Sequence, residues 1–143
     1  MNRFLLATLF FTGFWALSQA AGAADVQIVA EGDIVTLVGK VEHAVAYGPP
    51  NFGTNPKTDK QEAYFALKLS GAIRVRNPNG DFDTEPTSRV QLVFAESDQS
   101  LLNIVSTVVK NRKLWLVGKV LLPETGHHHE VVLLQVQSAR VLD

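Results

Sequence analysis

The stretch from Lys113 to Val141 constrains the fold of this chain most, because it places two apolar runs on either side of a short polar loop. It reads KLWLVGKVLL, then PETGHHHE, then VVLLQVQSARV, which predicts strand, loop, strand. The loop Pro123–Glu130 holds one proline, one glycine and three consecutive histidines. Two apolar strands fix such a loop in space, and a fixed polar loop is where proteins build binding sites.

The first residues have the pattern of a secretory signal peptide. Asn2 and Arg3 supply a short positive region, and Phe4–Leu17 is an apolar run of 14 residues. The small residues that end a signal peptide follow between Ser18 and Ala23. A membrane anchor is the weaker interpretation, because a helix needs roughly 20 apolar residues to span a bilayer.

We expect cleavage after Ala20, or alternatively after Ala23, which leaves residues 24–143 as a single domain. The chain contains no cysteine, so we expect neither disulfide bonds nor a lipid-modified cysteine after the cleavage site. These features predict a periplasmic or secreted protein of a Gram-negative bacterium.

Composition narrows the partner classes. Hydrophobic residues make up 46% of the chain and charged residues 19%, which is typical of a globular protein. The 13 basic residues are balanced by 14 acidic ones. We therefore expect no nucleic-acid partner, and no membrane association once the signal peptide is removed.

Alternation of apolar and polar residues predicts five main strands and one helix. The helix follows from apolar residues at Leu101, Ile104, Val105, Val108 and Val109, with Ser97 as its N-cap. The predicted elements are a short edge strand at Asp25–Ala30, strands at Asp33–Tyr47, Glu62–Leu69 (extended past Gly71 to Arg76), Ser88–Ala95, Lys113–Leu122 and Glu130–Val141, and the helix at Asp98–Lys110.

The sequence VGKV occurs twice, at Val38–Val41 and at Val117–Val120. Four residues are too few to indicate a duplication. A glycine inside a strand marks a bulge or a sharp bend, so we expect both strands to bend at this glycine for the same geometric reason.

Three strands, a helix and two strands are the element order of the OB-fold, a five-stranded Greek-key barrel whose helix plugs one end. The alternative is an open β-sandwich with the helix packed outside. In the barrel, the loop Gly48–Gln61 and the loop Pro123–His129 lie at the rim of one face. These are also the two most unusual loops in the sequence.

Motifs in these two loops resemble the bacterial exported domain-of-unknown-function family DUF4431. The similarity rests on YGPPNFGTNP at Tyr47–Pro56, VGKV at Val117–Val120 and TGHHH at Thr125–His129, and is most specific over Leu116–Leu134. The resemblance covers most of the mature chain. It implies an exported protein and supports the shape, but it implies no reaction.

Two departures from the family pattern concern the histidine motif. Glu130 stands where threonine is common in the family, and Leu121–Pro123 replaces a Phe-His-Ala-like segment. If that histidine is a metal ligand in relatives, the resemblance implies weaker metal binding in this chain.

The histidines are the first candidate site. In an extended segment His127 and His129 point one way, while His128 and Glu130 point the other. An H-x-H pair can chelate zinc or copper, and His43 could supply a third ligand if the barrel brings it to the rim. The alternatives are a structural polar network and direct contact with a ligand.

The second candidate site combines side-chain amides with exposed aromatic rings. Tyr47, Asn51, Phe52 and Asn55 would contact a sugar or a peptide, together with His128. The alternative is that the asparagines stabilise the turns of their own loop.

Nucleophilic catalysis has no support, because the chain has no cysteine and no G-x-S-x-G motif. The leading hypothesis is a non-enzymatic periplasmic module that binds a protein, peptide or glycan across the rim loops 48–61 and 123–129. The alternative is a zinc or copper protein. A metal-dependent hydrolase is the weakest option, because only Glu130 or Glu42 could act as its general base.

Overall fold

A computed structural model describes residues 26–78, 83–107 and 112–142. The predicted signal peptide and its cleavage site lie outside these residues. The described elements, in chain order, are β1 (Val26–Ala30), β2 (Ile34–Tyr47), β3 (Gln61–Arg76), β4 (Thr87–Val93), α1 (Gln99–Thr107), β5 (Lys113–Leu121) and β6 (Leu133–Leu142).

Five of the strands close into a barrel. The long strand β2 pairs antiparallel with β3 on one side and with β5 on the other, and β5 pairs antiparallel with β6. Parallel pairing of β6 with β4 and antiparallel pairing of β4 with β3 complete the ring. The closed barrel with one helix confirms the predicted OB-like fold, and the open sandwich is wrong.

The edge strand predicted before the first long strand is also present. It is β1, which pairs in parallel with the C-terminal part of β3 from Ala72 to Arg76. No helix among residues 26–78, 83–107 and 112–142 has the length and hydrophobicity needed to cross a bilayer.

Alternating side chains fill the barrel. On β2, Val35 and Leu37 face inward, and on β5 Leu114 and Leu116 do the same. Helix α1 contributes the fully buried Val105 and contacts β6. Removal of these apolar side chains from water is the main stabilising contribution to a small domain of this kind.

Gly39 and Gly118, the glycines of the repeated VGKV sequence, occupy equivalent positions. A Cβ at Gly39 would lie 2.9 Å from Leu67 Cγ and would also meet the backbone of the next residue. A Cβ at Gly118 would lie 2.9 Å from Leu134 Cγ and would meet the backbone there in the same way. Each glycine thus permits a close approach of two strands, which confirms the shared geometric reason.

Two predicted boundaries were wrong. The helix is capped by Asp98, whose carbonyl accepts hydrogen bonds from Leu101 N and Leu102 N at 3.0 and 3.1 Å. Ser97 lies one residue before this cap, and its hydroxyl instead contacts the Asp98 carboxylate at 3.4 Å. The last predicted turn, residues 108–110, lies outside the described residues.

The other wrong boundary is the start of the last strand. Strand β6 begins at Leu133 and not at Glu130, because the preceding residues belong to a loop that folds back over the barrel wall. Strand β3, in contrast, continues through Gly71, and only its pairing with β4 is irregular, between Lys68 and Ile73.

Candidate functional site

The two unusual loops meet at one end of the barrel. We refer to Gly48–Lys60 as the proline loop and to Leu122–Val132 as the histidine loop. A Cβ added to Gly126 would lie 2.8 Å from Phe52 Cζ and 3.4 Å from Pro49 Cγ, so the loops are in contact. Segments some seventy residues apart in the sequence therefore share a rim, as the barrel topology predicts.

The proline loop is organised from within by Asp59, a carboxylate that is only 7% exposed. It accepts hydrogen bonds from Asn51 Nδ2 at 2.9 Å, Gly53 N at 2.8 Å and Asn55 N at 3.2 Å. Burial alone would raise the pKa of Asp59, but these hydrogen bonds outweigh it and lower the pKa below its usual value. The amide of Asn51 is thus used to hold its own loop.

The backbone of the proline loop is unusual at its tip. Phe52 has a φ of 50° and Gly53 a φ of 91°. At the second position a glycine is needed, because a Cβ there would also lie 3.1 Å from Cδ2 of the Tyr47 ring. Phe52 remains 55% exposed, whereas Tyr47 packs on the loop and its hydroxyl accepts a 3.4 Å hydrogen bond from Gln61.

His128 shapes the histidine loop itself. Its Nδ1 accepts hydrogen bonds from the backbone N–H groups of Glu124 and Thr125, at 3.0 and 3.3 Å. Its own backbone N–H donates to the carbonyl of Thr125 at 3.1 Å. One ring nitrogen of His128 is therefore used as an acceptor inside the turn and is not directed at a ligand.

Gln91 on β4 fastens the histidine loop to the outer wall of the barrel. Its side-chain amide donates to the carbonyl of His127 at 3.3 Å and accepts from the N–H of His129 at 2.7 Å. Its backbone N–H donates to the carbonyl of Val132. Because the loop covers this part of the wall, Gln91 is only 5% exposed although it faces outward.

Glu62, at the start of β3, brings the two predicted metal-ligating histidines together. Its Oε1 lies 2.7 Å from His127 Nδ1 and its Oε2 lies 3.1 Å from His129 Nε2. The hydrogen bond with His127 lowers the pKa of Glu62, against the opposing effect of burial, and the contact with His129 adds to the lowering. Gly48 leaves room for the carboxylate, since a Cβ there would lie 2.5 Å from Glu62 Oε1.

His43, the predicted third ligand, is not part of this cluster. It is paired with Phe65, and their rings meet edge to face at 4.6 Å. Glu62 is three residues from Phe65 in a regular strand, so the two side chains lie on opposite faces of the sheet. In the part of the chain that the structure describes, no group of three metal-ligating side chains is arranged to hold a metal ion.

A polar network continues from the histidines along the outer wall. The Tyr64 ring lies 5.1 Å from the His129 ring, and its hydroxyl donates to Glu130 Oε1 at 2.8 Å. Burial raises the pKa of Tyr64, and the hydrogen bond to Glu130 raises it further. Arg89 Nε lies 2.9 Å from Glu130 Oε1 as an ion pair without hydrogen-bond geometry.

Glu42 is the next residue of this network, with Arg89 Nε at 3.7 Å and Lys68 Nζ at 3.9 Å. Glu42 and Glu130 are the two residues that a hydrolase hypothesis needs as general bases. Both are in ion pairs with cations of the barrel wall, which is the arrangement of a structural network.

Sequence reasoning did not identify Asp59, Glu62 or Gln91 as residues of the site. Gln91 is a polar residue in an alternating strand, a pattern that indicates a solvent-exposed side chain. Asp59 lies in a polar loop and has no motif of its own. For Glu62 a signal does exist, because a carboxylate at the strand end next to the proline loop must lie close to the predicted rim.

No protein-family model matches this chain, and neither a curated protein nor a solved structure matches it significantly. The resemblance to DUF4431 therefore stays a prediction from the loop motifs.

Proposed function

We propose that this protein is a non-enzymatic binding module that holds a protein, peptide or glycan partner across the rim formed by the proline loop and the histidine loop. The observation that supports this most is Phe52. Its ring is more than half exposed, it lies against Gly126 of the opposite loop, and its backbone is left-handed.

A left-handed backbone is costly for a residue with a bulky side chain. The cost is about 1–2 kcal/mol for residues other than glycine. Asparagine or glycine would relieve it without any loss of buried core. A phenylalanine that is both strained and exposed therefore favours a role in contact with a partner over a role in stability.

Side-chain hydrogen bonds hold both loops in place without a partner. Asp59 holds the proline loop from within, and Gln91 and Glu62 hold the histidine loop against the wall. Binding to a preorganised surface costs less conformational entropy than binding that must first order its loops. This preorganisation supports a recognition surface over a mobile lid.

The surroundings of Phe52 favour a polar partner surface with one apolar contact. His127 and Asn55 are exposed on the two loops, and neither is part of the barrel core. An aromatic anchor inside a polar rim is the usual composition of a recognition site. With the predicted signal peptide, the partner would be met in the periplasm or outside the cell.

The test compares Phe52→Ala with Ile34→Ala, a control that removes an equally exposed apolar side chain (56%) at the opposite end of β2. Binding of the mature protein is measured on glycan and peptide arrays and by photo-crosslinking in periplasmic extract, followed by affinity measurement on the hit. We expect Phe52→Ala to weaken binding at least tenfold and Ile34→Ala to leave it unchanged. Equal binding by all three proteins, or equal losses in both variants, would contradict the proposal.

Transition-metal binding is the second candidate function, and the position of Glu62 favours it. One carboxylate and two imidazoles are a donor set that zinc accepts in proteins, and the Glu62 carboxylate contacts the rings of both His127 and His129. The ligands would have to move apart to admit the ion. Elemental analysis of protein purified without an affinity tag tests this idea, and zinc and copper far below one ion per chain would end it.

A further inference from the structure

Four basic side chains form a row across the outer wall of the barrel. Lys113 on β5 is the direct cross-strand neighbour of Lys40 on β2, and Lys40 is the direct neighbour of Lys68 on β3. Lys68 in turn is paired with Arg89 on β4. Directly paired residues of antiparallel strands point to the same face, so all four side chains lie side by side.

Like charges in directly opposed positions destabilise a sheet, and this row has three such pairs. At one end the repulsion is reduced, because Glu42 lies 3.9 Å from Lys68 Nζ and 3.7 Å from Arg89 Nε. At the other end, neither Lys40 nor Lys113 forms an ion pair with any residue that the structure describes. Among the described residues, these two adjacent lysines thus have no anionic partner.

A groove of about 420 Å³ opens at this end of the row. Its lining includes the three lysines and one carboxylate, Glu42, which is already paired with Lys68 and Arg89. The remaining lining residues are Val38, Gly39, Leu69 and Ser70. Val38, Leu69 and Ser70 also line a neighbouring groove of about 510 Å³ beside β1. A charged group held at the lysines would therefore have space next to it for the remainder of a small molecule.

We propose that this groove is a binding site for a tetrahedral oxyanion, such as the phosphate group of a small phosphorylated ligand. The ammonium groups of Lys40, Lys113 and Lys68 would surround the anion, as lysines do at many phosphate sites, with the Ser70 hydroxyl as a further donor. The bound anion would offset the repulsion between the neighbouring ammonium groups of the row. Glu42 lies at the edge of the groove, where its ion pairs with Lys68 and Arg89 leave the charges of Lys40 and Lys113 for the anion.

This site is separate from the rim. Lys40 and Tyr47 are seven residues apart on β2, which is roughly 23 Å along an extended strand. Loss of one binding function would leave the other intact, so the two proposals can fail independently. The near-neutral composition of the chain does not argue against the site, because the row concentrates in one place a charge that is balanced only over the whole molecule.

In the test, the isotopically labelled mature protein is titrated with inorganic phosphate, and binding is monitored through the amide chemical shifts. A titration with sodium chloride at matched ionic strength is the reference. We expect saturable shifts at Lys40, Ser70 and Lys113. The double variant K40Q/K113Q should bind at least tenfold more weakly, the size of one charge-assisted hydrogen bond. The control K119Q removes a lysine from the same strand and face as Lys113, outside the row, and should bind like the wild type.

A second arm identifies the source of the anion. Co-sedimentation with phosphatidylglycerol vesicles, but not with phosphatidylcholine vesicles, would identify the bound phosphate as a lipid headgroup if K40Q/K113Q abolishes it. Saturation by free phosphate without vesicle binding would identify a soluble ligand, and both results support the site. Shifts that chloride reproduces, or equal losses in K119Q and the double variant, would overturn it.

The stability of K40Q separates a binding role from a structural one. Removal of one of two repelling charges should leave the melting temperature unchanged or raise it at low ionic strength. A lower melting temperature would show that Lys40 stabilises the barrel, and would contradict the proposal.

Discussion

The proline loop and the histidine loop reach the same rim by different physical means. The proline loop is self-contained, because its central carboxylate, Asp59, accepts hydrogen bonds from residues of that loop alone. The histidine loop depends on the barrel wall, where Gln91 and Glu62 hold it from two other strands. The first loop should keep its shape if the wall is altered, and the second should not.

The structure of the proline loop is therefore easier to predict from sequence than that of the histidine loop. A self-contained loop carries its own structural information in adjacent residues, such as Asn51 and Asp59 in the same segment. A docked loop takes its structure from residues that lie some 35 to 65 positions away, such as Gln91 and Glu62 relative to the histidines. Four substitutions test the distinction, and the one with the largest expected effect comes first.

Asp59→Asn should lower the melting temperature most, because three hydrogen bonds to a nearly buried carboxylate are weakened together. Amide exchange should accelerate at Gly53 and Asn55, while the amide of His129 stays protected. Because the folded-state pKa of Asp59 is lowered, its carboxylate stabilises the fold above the unfolded value of about 3.8, and this is lost as pH falls through the lower folded pKa. Equal loss of protection in both loops would show that they are one unit.

Gln91→Leu should release the histidine loop and leave the proline loop intact. The side chain is nearly buried, and its loss leaves the His127 carbonyl and the His129 N–H without their partner. We expect a loss of about 1–3 kcal/mol in urea-induced unfolding. If the amides of Gly53 and Asn55 also lost their protection, the proline loop would not be self-contained.

Glu62→Gln should have a smaller effect at neutral pH and a distinct effect in acid. The pKa of Glu62 is lowered in the folded state, so its stabilising effect is complete above the unfolded value of about 4.5 and is lost as pH falls through the folded value. The variant should therefore show a shallower loss of melting temperature on acidification. Glu96→Gln, which removes an exposed carboxylate that forms none of the described ion pairs, is the matched control and should keep the slope of the wild type.

Phe52→Asn should change stability least. Asparagine tolerates the left-handed backbone better than phenylalanine, which offsets the lost contact of the ring with Gly126. We expect a change within about ±0.5 kcal/mol in the free energy of unfolding, together with loss of partner binding. A large destabilisation would show that the ring is a structural residue and not a recognition residue.

Much of the fold could be predicted from the sequence. Alternation located all the strands, and the order of three strands, one helix and two strands identified the barrel. The two VGKV sequences indicated the sites where strands approach closely. Boundaries were less accurate where a loop folds back on the wall, because residues 130–132 are apolar or charged in a pattern that also suits a strand.

The candidate site was predictable only in part. The shared rim followed from topology. The convergence of His127 and His129 on one side was predicted for an extended segment, whereas these residues lie in a loop with a turn at His127 and are brought together by Glu62. The common partner Glu62 and the separate position of His43 could not be predicted, because both depend on which face of β3 and β2 looks toward the histidine loop. The basic row across four strands could not be predicted from composition either. Its four residues are neighbours only because of the register in which the strands pair.

The contact between the two loops is tested most directly by nuclear Overhauser effects between the ring protons of Phe52 and the α protons of Gly126 in the isotopically labelled mature protein. We predict strong cross-peaks between the Phe52 ring protons and the Gly126 α protons. Their disappearance in Phe52→Ala would assign them to this ring. A Phe52 ring with cross-peaks only to residues of its own loop would contradict the shared rim, and with it the proposed recognition surface.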